Sequence, residues 1–373
     1  MRLKLASTAV LLALAGACWG ASCSFTPSPS GFKHYTFTNV RYDKKLGAAT
    51  VVRPKNAAPD AAVVGIVESP EIKPGAPFDH AIASWNATTP AGSYLTVYMQ
   101  ARVGGAWTRW YKMGLWNTDG KPERRKTFND SDDAGGMDCE VLILKKKADA
   151  VKVRFELAST DGKTYPALRF CGVETNDSSI ISEDAAPIKS VWGKELDVPY
   201  LSQQSVPGGA GWCSATSVTM VLRYWGAKLD RPELSNLGIT DAAHGIHDAK
   251  LGGTGDWSFN CAYAGEYKGI RAYVMRFTDI SQIEWWIARG VPVIVSVDYS
   301  KLIHRKGARA GHLMVARGFT SDGSIVVNDP DEPLTRSDHM RKVFSRADFE
   351  SGWLGEAGSW GTVYIIHPEG WKL

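Results

Sequence analysis

Cys213 ends a loop rich in Pro and Gly, SVPGGAGW, and opens the run CSATSVTMVLRYW. Ala215, Val218, Leu222 and Trp225 are spaced three, four and three apart, which predicts one stripe of a helix, and Gly226 reads as its stop. A cysteine at a helix start meets free backbone N–H groups and the positive end of the helix dipole. Both favour thiolate over thiol, and a neighbouring imidazolium favours it further. The competing role is a small buried core residue, the usual fate of a free cysteine. Cores rarely place one directly after a glycine loop.

A thiolate nucleophile needs a base, and the base needs a group to orient it. His312 opens the strand-like run HLMVARGF, and Asp322-Gly323 reverses the chain into SIVVNDP. A two-residue hairpin turn sets Ser321 opposite Ser324 and Asp329 opposite Ala316. Asp329 then shares a face with His312 while Asn328 points away. That register separates the pair by four residues, roughly 13 Å of strand, so a bulge, a longer loop or coiling must close the gap. Another loop length changes the parity and promotes Asn328. For the oxyanion, the Cys213 N–H is one donor, and Gln203 or Gln204 on the preceding loop is a candidate second.

Other polar groups compete less well. Asp241, His244, His247 and Asp248 stand close together in DAAHGIHD, but no third strong zinc ligand lies at a telling spacing, so no metal or other cofactor is expected. His304 lies in the basic loop HRKGARAGH, a poor place to hold an imidazole rigid. Asn260 and Cys261, in GDWSFNCAYAG, read as part of a segment lining the cleft, with Cys261 in the core. Trp85, Trp107, Trp110, Tyr111 and Trp116 either fill a core or, if exposed, suit stacking on sugar rings. The sequon at Asn86 is read as carrying no modification.

The elements that must hold these groups fall into two grammars. Residues 31–175 show short alternating runs such as YLTVYMQARV, separated by turn residues, which predicts an all-β sandwich. Residues 176–196 are polar and aperiodic and read as a linker. Residues 197–373 begin with the Cys213 helix, add a second helix over Ile280 to Arg289, and continue in strands. This is an α+β domain, a helix packed on an antiparallel sheet.

The 373 residues are 44% hydrophobic and 22% charged, ample for an ordinary core. The net charge is +4, of which Arg2 and Lys4 supply two, and no basic run supports nucleic acid as a partner. Residues 1–22 read as a signal peptide: Arg2 and Lys4, then the apolar Leu5 to Ala17, then small residues. That run is too short to span a membrane. Export is expected, with cleavage near Ala21 or, as the alternative, a lipidated Cys18 or Cys23. Export permits disulfides, and Cys139 and Cys171, at the ends of strand-like runs, are expected to pair.

The stretch VPYLSQ through GWCSATSVTMVLRYWG, then GHLMVARGF and IVVNDP, resembles the papain-fold cysteine peptidases of the bacteriocin-processing type, peptidase family C39 and its exported relatives. The resemblance covers about residues 195–370. It implies Cys213 as nucleophile, His312 as general base, Asp329 as third member and Gln203, rather than Gln204, as oxyanion donor. Two features depart from the family: no membrane transporter is fused to the chain, and glycine-rich sequence lengthens the step from Gln203 to Cys213. The expected function is an exported cysteine peptidase acting on peptides or proteins through a thioester. The alternatives are a cell-wall peptide amidase or transpeptidase with the same residues, or an inactive protein binding surface glycan or protein, the N-terminal region being the candidate glycan binder.

Overall fold

The structure is a computed structural model and describes residues 23–56, 62–118 and 125–373. The expected signal segment, with Cys18, lies outside the described residues.

Strands from the first half form one antiparallel sheet of 13 strands among the described residues. Its principal members are β1 (Cys23–Pro27), β2 (Val63–Glu68), β3 (Phe78–Thr88), β4 (Ser93–Val103), β5 (Tyr111–Trp116), β6 (Val141–Ser159) and β7 (Ala167–Asn176). The 19-residue β6 explains how one sheet becomes two layers. Its first part pairs with β3; after register shifts around Ala148 it pairs with β4 on one side and β2 on the other. Such irregularities bend a strand and let it pass from one layer to the next. Between the layers the rings of Trp85 on β3, Phe155 on β6 and Trp116 on β5 meet edge to face, with centroids 6.2–6.3 Å apart for the Trp85 pairs. On β6 Phe155 alternates with the half-buried polar Arg154 and Glu156, as the sequence pattern requires.

The second half is α+β. Helix α1 (Cys213–Leu229) leads, followed by α2 (Ile239–Ile246), α3 (Trp257–Ala264), β8 (Ile270–Arg276), α4 (Ser281–Ala288), β9 (Val293–Asp298), β10 (Gly311–Phe319), β11 (Ile325–Asn328), β12 (Arg341–Phe344), α5 (Arg346–Trp353) and β13 (Thr362–Pro368). The strand order is β8-β13-β9-β10-β11-β12, every pair antiparallel. Helix α1 is buried from Ser214 to Leu222. Most of its buried polar side chains find partners: Ser214 Oγ lies 3.0 Å from Tyr364 Oη, Ser217 Oγ donates to Leu313 O, and Thr219 Oγ1 donates to Ala215 O, while Thr216 Oγ1 has none among the described residues.

Three expectations need correction. Gly226 does not end α1, which continues to Leu229 and stops at Asp230 in the left-handed region (φ 53°). The glycine is there for close approach, since a Cβ would lie 2.4 Å from Ser235 N. The Asn260–Cys261 segment does not line an open cleft: it belongs to α3, buried from Ser258 to Ala264, whose Phe259 inserts between Trp85 and Trp116 at 6.1 and 5.1 Å. Cys139 and Cys171 do not form a disulfide. Cys139 sits at φ 50° in the turn before β6, and Cys171, inside β7, faces Tyr35 Oη at 3.1 Å.

Candidate active site

The hairpin of β10 and β11 brings the expected residues together by a route the simple turn missed. The loop holds three residues: Thr320 N donates to Ser324 O, Gly323 N donates to Thr320 O, and Gly323 takes φ +85°. This shifts the register by one. A bulge at Arg317, between the pairs Gly318–Val326 and Ala316–Val327, shifts it by one more. Two single shifts restore the original parity and draw the far strand two residues closer. Continuing the Val315–Asn328 pair sets Asp329 opposite Met314, next but one to His312. His312 Nε2 accordingly lies 2.7 Å from Asp329 Oδ1, with both residues buried.

Asn328 faces the other way. Its Nδ2 donates to Val198 O at 3.1 Å and its Oδ1 accepts from Arg317, so it anchors the segment that leads to Gln203.

Cys213 is the first residue of α1 and remains partly exposed. Its thiol is one of the groups that act on the His312 ring. With Nε2 committed to Asp329, the ring's Nδ1 is the atom left for sulfur. Burial alone would push the His312 pKa down, but Asp329 and Cys213 outweigh it and raise it to about 10. Burial would likewise raise Asp329, yet His312, then Lys342 and the Asp331 N–H, hold it well below the usual carboxylate range. At neutral pH the ring is therefore an imidazolium and its partner a carboxylate. The other thiols sit in discouraging places. Burial and neighbouring carboxylates push Cys139 up to about 12, burial pushes Cys171 up to about 12, and Cys261 is pushed well above the thiol range.

Three participants gave no usable signal in the sequence. Lys342 on β12 reaches Asp329 Oδ2 at 2.7 Å, Glu332 at 3.0 Å and the Tyr299 hydroxyl at 2.6 Å. Tyr299 in turn sets its ring edge to face with His312, centroids 5.2 Å apart. Asp331 is the third. Its N–H donates to Asp329 Oδ1 at 3.0 Å, and its Oδ1 accepts from the side-chain amides of both Gln203 and Gln204, each at 2.6 Å. The motif NDPDEP displays Asp331, but only the fold aims it at two glutamines.

Gln203 is buried and Gln204 exposed. Gln203 N also donates to Pro330 O, so the Asp329–Asp331 loop and the Gln203 loop are stitched together. The ten-residue step to Cys213 is taken up by consecutive tight turns: Val206 N to Gln203 O, Gly209 N to Val206 O and Trp212 N to Gly209 O. One amide hydrogen of Gln203 serves Asp331, and the second is left for another acceptor.

The rival groups are occupied elsewhere. His304 is exposed and pairs with Asp348 at 3.1 Å. Asp248 is buried and accepts from Thr127 N and Oγ1, Lys250 N and Leu251 N, which makes it a loop anchor. His244 packs its ring edgewise on Trp212, beside Cys213, at 6.0 Å. In the first half Trp85, Tyr111 and Trp116 are buried. Trp107 and Trp110 are partly exposed, with Lys152 and Arg154 lying 5.1 and 4.1 Å from their rings.

Residues 195–358 match a model described as Peptidase_C39 like family, and residues 28–176 match one described as Peptidase C39 N-terminal domain. The chain is similar to the C39-like peptidases in both halves. The match of the second half points to a peptidase. Among solved structures, a C39-like peptidase from Bacillus anthracis is 16% identical, covering 47% of this chain and 98% of that one, with a TM-score of 0.30. No curated protein matches. Among the described residues no helix is long and apolar enough to cross a membrane.

Proposed function

We propose that the chain is an exported cysteine peptidase that cuts peptide bonds through Cys213, His312 and Asp329. The supporting observation is the 2.7 Å hydrogen bond between buried His312 and Asp329, with Cys213 at the start of α1 among the groups that raise the ring's pKa. Cys213 sulfur attacks the carbonyl carbon. The oxyanion is met by the Cys213 N–H, which lies outside the helix's own ladder, and by the free amide hydrogen of Gln203. The C–N bond breaks as His312 gives its proton to the leaving amine, which leaves a thioester on sulfur. Water then attacks the thioester, His312 takes the water proton, and thiolate and carboxylic acid separate. Asp329 orients the ring and favours its charged form throughout.

We read residues 1–22 as the export segment and residues 31–175 as a sandwich domain joined by the linker 176–196, with cell-surface glycan as its candidate partner. The test compares casein with purified peptidoglycan as substrates for the chain and its Cys213→Ala variant. Casein cleavage that vanishes in the variant supports the peptidase. Release of cell-wall fragments with casein untouched would replace it by a cell-wall amidase, and inertness toward both would replace it by a binding protein.

A further inference from the structure

At the far end of α1 from Cys213 a cleft of about 790 Å³ opens between the two halves. Trp371 forms one wall and packs on Trp225, at 4.8 Å between centroids. Trp225 lies twelve residues along the helix from Cys213, about 18 Å of axial rise, so the cleft is separate from the site above. Its inner surface is made of buried rings. Phe25 stacks on Tyr273 at 4.5 Å, and Phe170 leans on the same ring at 5.9 Å.

The polar lining is one-sided. Five cations, Lys44, Lys45, Arg169, Lys268 and Arg271, face a single carboxylate, Glu369. Glu369 is taken by Arg271 at 3.2 Å, and the Arg271 guanidinium lies 4.2 Å from the Phe170 ring centroid. Among the described residues Arg169 donates to the neutral oxygens Thr88 Oγ1, Gly265 O and Glu266 O, with Glu369 and Glu266 acting on it only at longer range. The three lysines are exposed. Among the described residues none of them has an ion-pair partner. His367, held neutral by burial with its pKa lowered to about 4, does not offset them.

We propose that this cleft binds an acidic peptide segment in which carboxylates alternate with apolar side chains. The three lysines without ion-pair partners repel one another and the nearby guanidinium groups, and an anion relieves that repulsion. The cations stand on separate elements, so one compact anion cannot meet them together. An extended chain can, because alternate side chains on one face are about 7 Å apart. Its apolar side chains enter among the rings, a combination of apolar walls and few convergent polar groups that suits a cleft of this size.

The test is fluorescence anisotropy with the full chain carrying Cys213→Ala, so that the probe is not cut. The probe is a fluorescein-labelled, acetylated pentapeptide, Glu-Phe-Glu-Leu-Glu, and the control replaces each Glu by Gln. Saturable binding is expected. It should weaken about tenfold in the Lys44→Glu/Lys268→Glu chain and with rising salt, and should be lost with the Gln control. Lys45→Glu, a second exposed change, should weaken it in the same direction. Absence of saturable binding would overturn the proposal. So would equal binding of the Gln control, equal binding by the charge-reversed chains, or displacement of the probe by millimolar inorganic phosphate.

Discussion

His312 is gripped by three neighbours of different kinds: Asp329 at Nε2, the Cys213 thiol, and the Tyr299 ring against its face. The carboxylate has the largest leverage on its charge. The His312 pKa, raised to about 10, stands above the ordinary 6.5, so this pairing stabilises the fold fully below pH 6.5 and fades as pH climbs toward 10. Asp329, held below its ordinary value, contributes above about pH 4 and loses that contribution as pH falls through its depressed pKa. For activity, the alkaline limb of the kcat/KM profile is expected well above neutrality. Asp329→Ala should move it toward neutral pH, and an unmoved limb would mean that the carboxylate does not set the ring's charge. His312 and Asp329 titrate as a pair, so the limbs belong to the pair rather than to one residue. His312→Ala should cost about 10³-fold in kcat/KM, and Asp329→Ala about 10²-fold, both within the usual scale of acid-base catalysis. The double variant should be little worse than His312→Ala, because residues acting as a unit are not additive. Asn328→Ala should spare activity by comparison yet lower stability by about 1–3 kcal/mol, since it strands the Val198 carbonyl. Kinetics and urea unfolding of the four variants check these outcomes together.

The loop before α1 and the hairpin after His312 are the elements on which the site depends. Gly209 sits so close to the Gln203 turn that a Cβ would lie 1.9 Å from the Gln203 carbonyl oxygen. Gly209→Ala should therefore displace the Gln203 loop. The expected cost is about 10- to 100-fold in kcat with a smaller change in KM, since an oxyanion donor acts in the transition state. Unchanged kcat would remove Gln203 from the oxyanion role. The sequence made the strand pair, its turn and the shared face of His312 and Asp329 legible, because side-chain alternation reports parity. It did not report distance: the three-residue loop and the Arg317 bulge each shift the register, and neither alters the alternation enough to be seen. The same blindness explains Cys139 and Cys171. Both lie at edges of β-rich runs, but a left-handed turn at Cys139 and an inward position at Cys171 are decided by tertiary packing. Lys342 and Tyr299 were illegible for a simpler reason: a lysine on an edge strand and a tyrosine after a strand look like surface and core.

At the scale of the molecule the two grammars of the sequence correspond to two sheets, and what the sequence hid is how closely they join. Strand β8 is the edge of the second sheet, and β3 of the first half covers it through side chains. Asn86 Nδ2 donates to Ala272 O at 2.7 Å, Ala272 N donates to Asn86 Oδ1 at 3.2 Å, and Val274 N donates to Ser84 Oγ. Side chains thus satisfy an edge that would otherwise template aggregation. Arg276 crosses the same boundary and is bonded to Asn176 and His80. Nothing in the runs around Asn86 or Phe259 distinguishes a residue buried within one half from one buried between two. Asn86→Ala strands two buried backbone groups and should lower stability by about 2–4 kcal/mol, with a single shared unfolding transition. Urea unfolding followed by both circular dichroism and tryptophan fluorescence checks this. Transitions that separate in the parent chain would show that the halves unfold independently.

The central claim is that Cys213 carries the acyl group during turnover. A blocked amino-acid p-nitrophenyl ester acylates a competent thiolate quickly and lets the adduct accumulate before water removes it. Rapid acid quench, intact-protein mass and peptide mapping then locate the adduct. The account predicts one acyl group per chain, on Cys213, absent from Cys213→Ala and strongly reduced in His312→Ala. An adduct on Cys139 or Cys261, or ester turnover by Cys213→Ala at the parent rate, would contradict it.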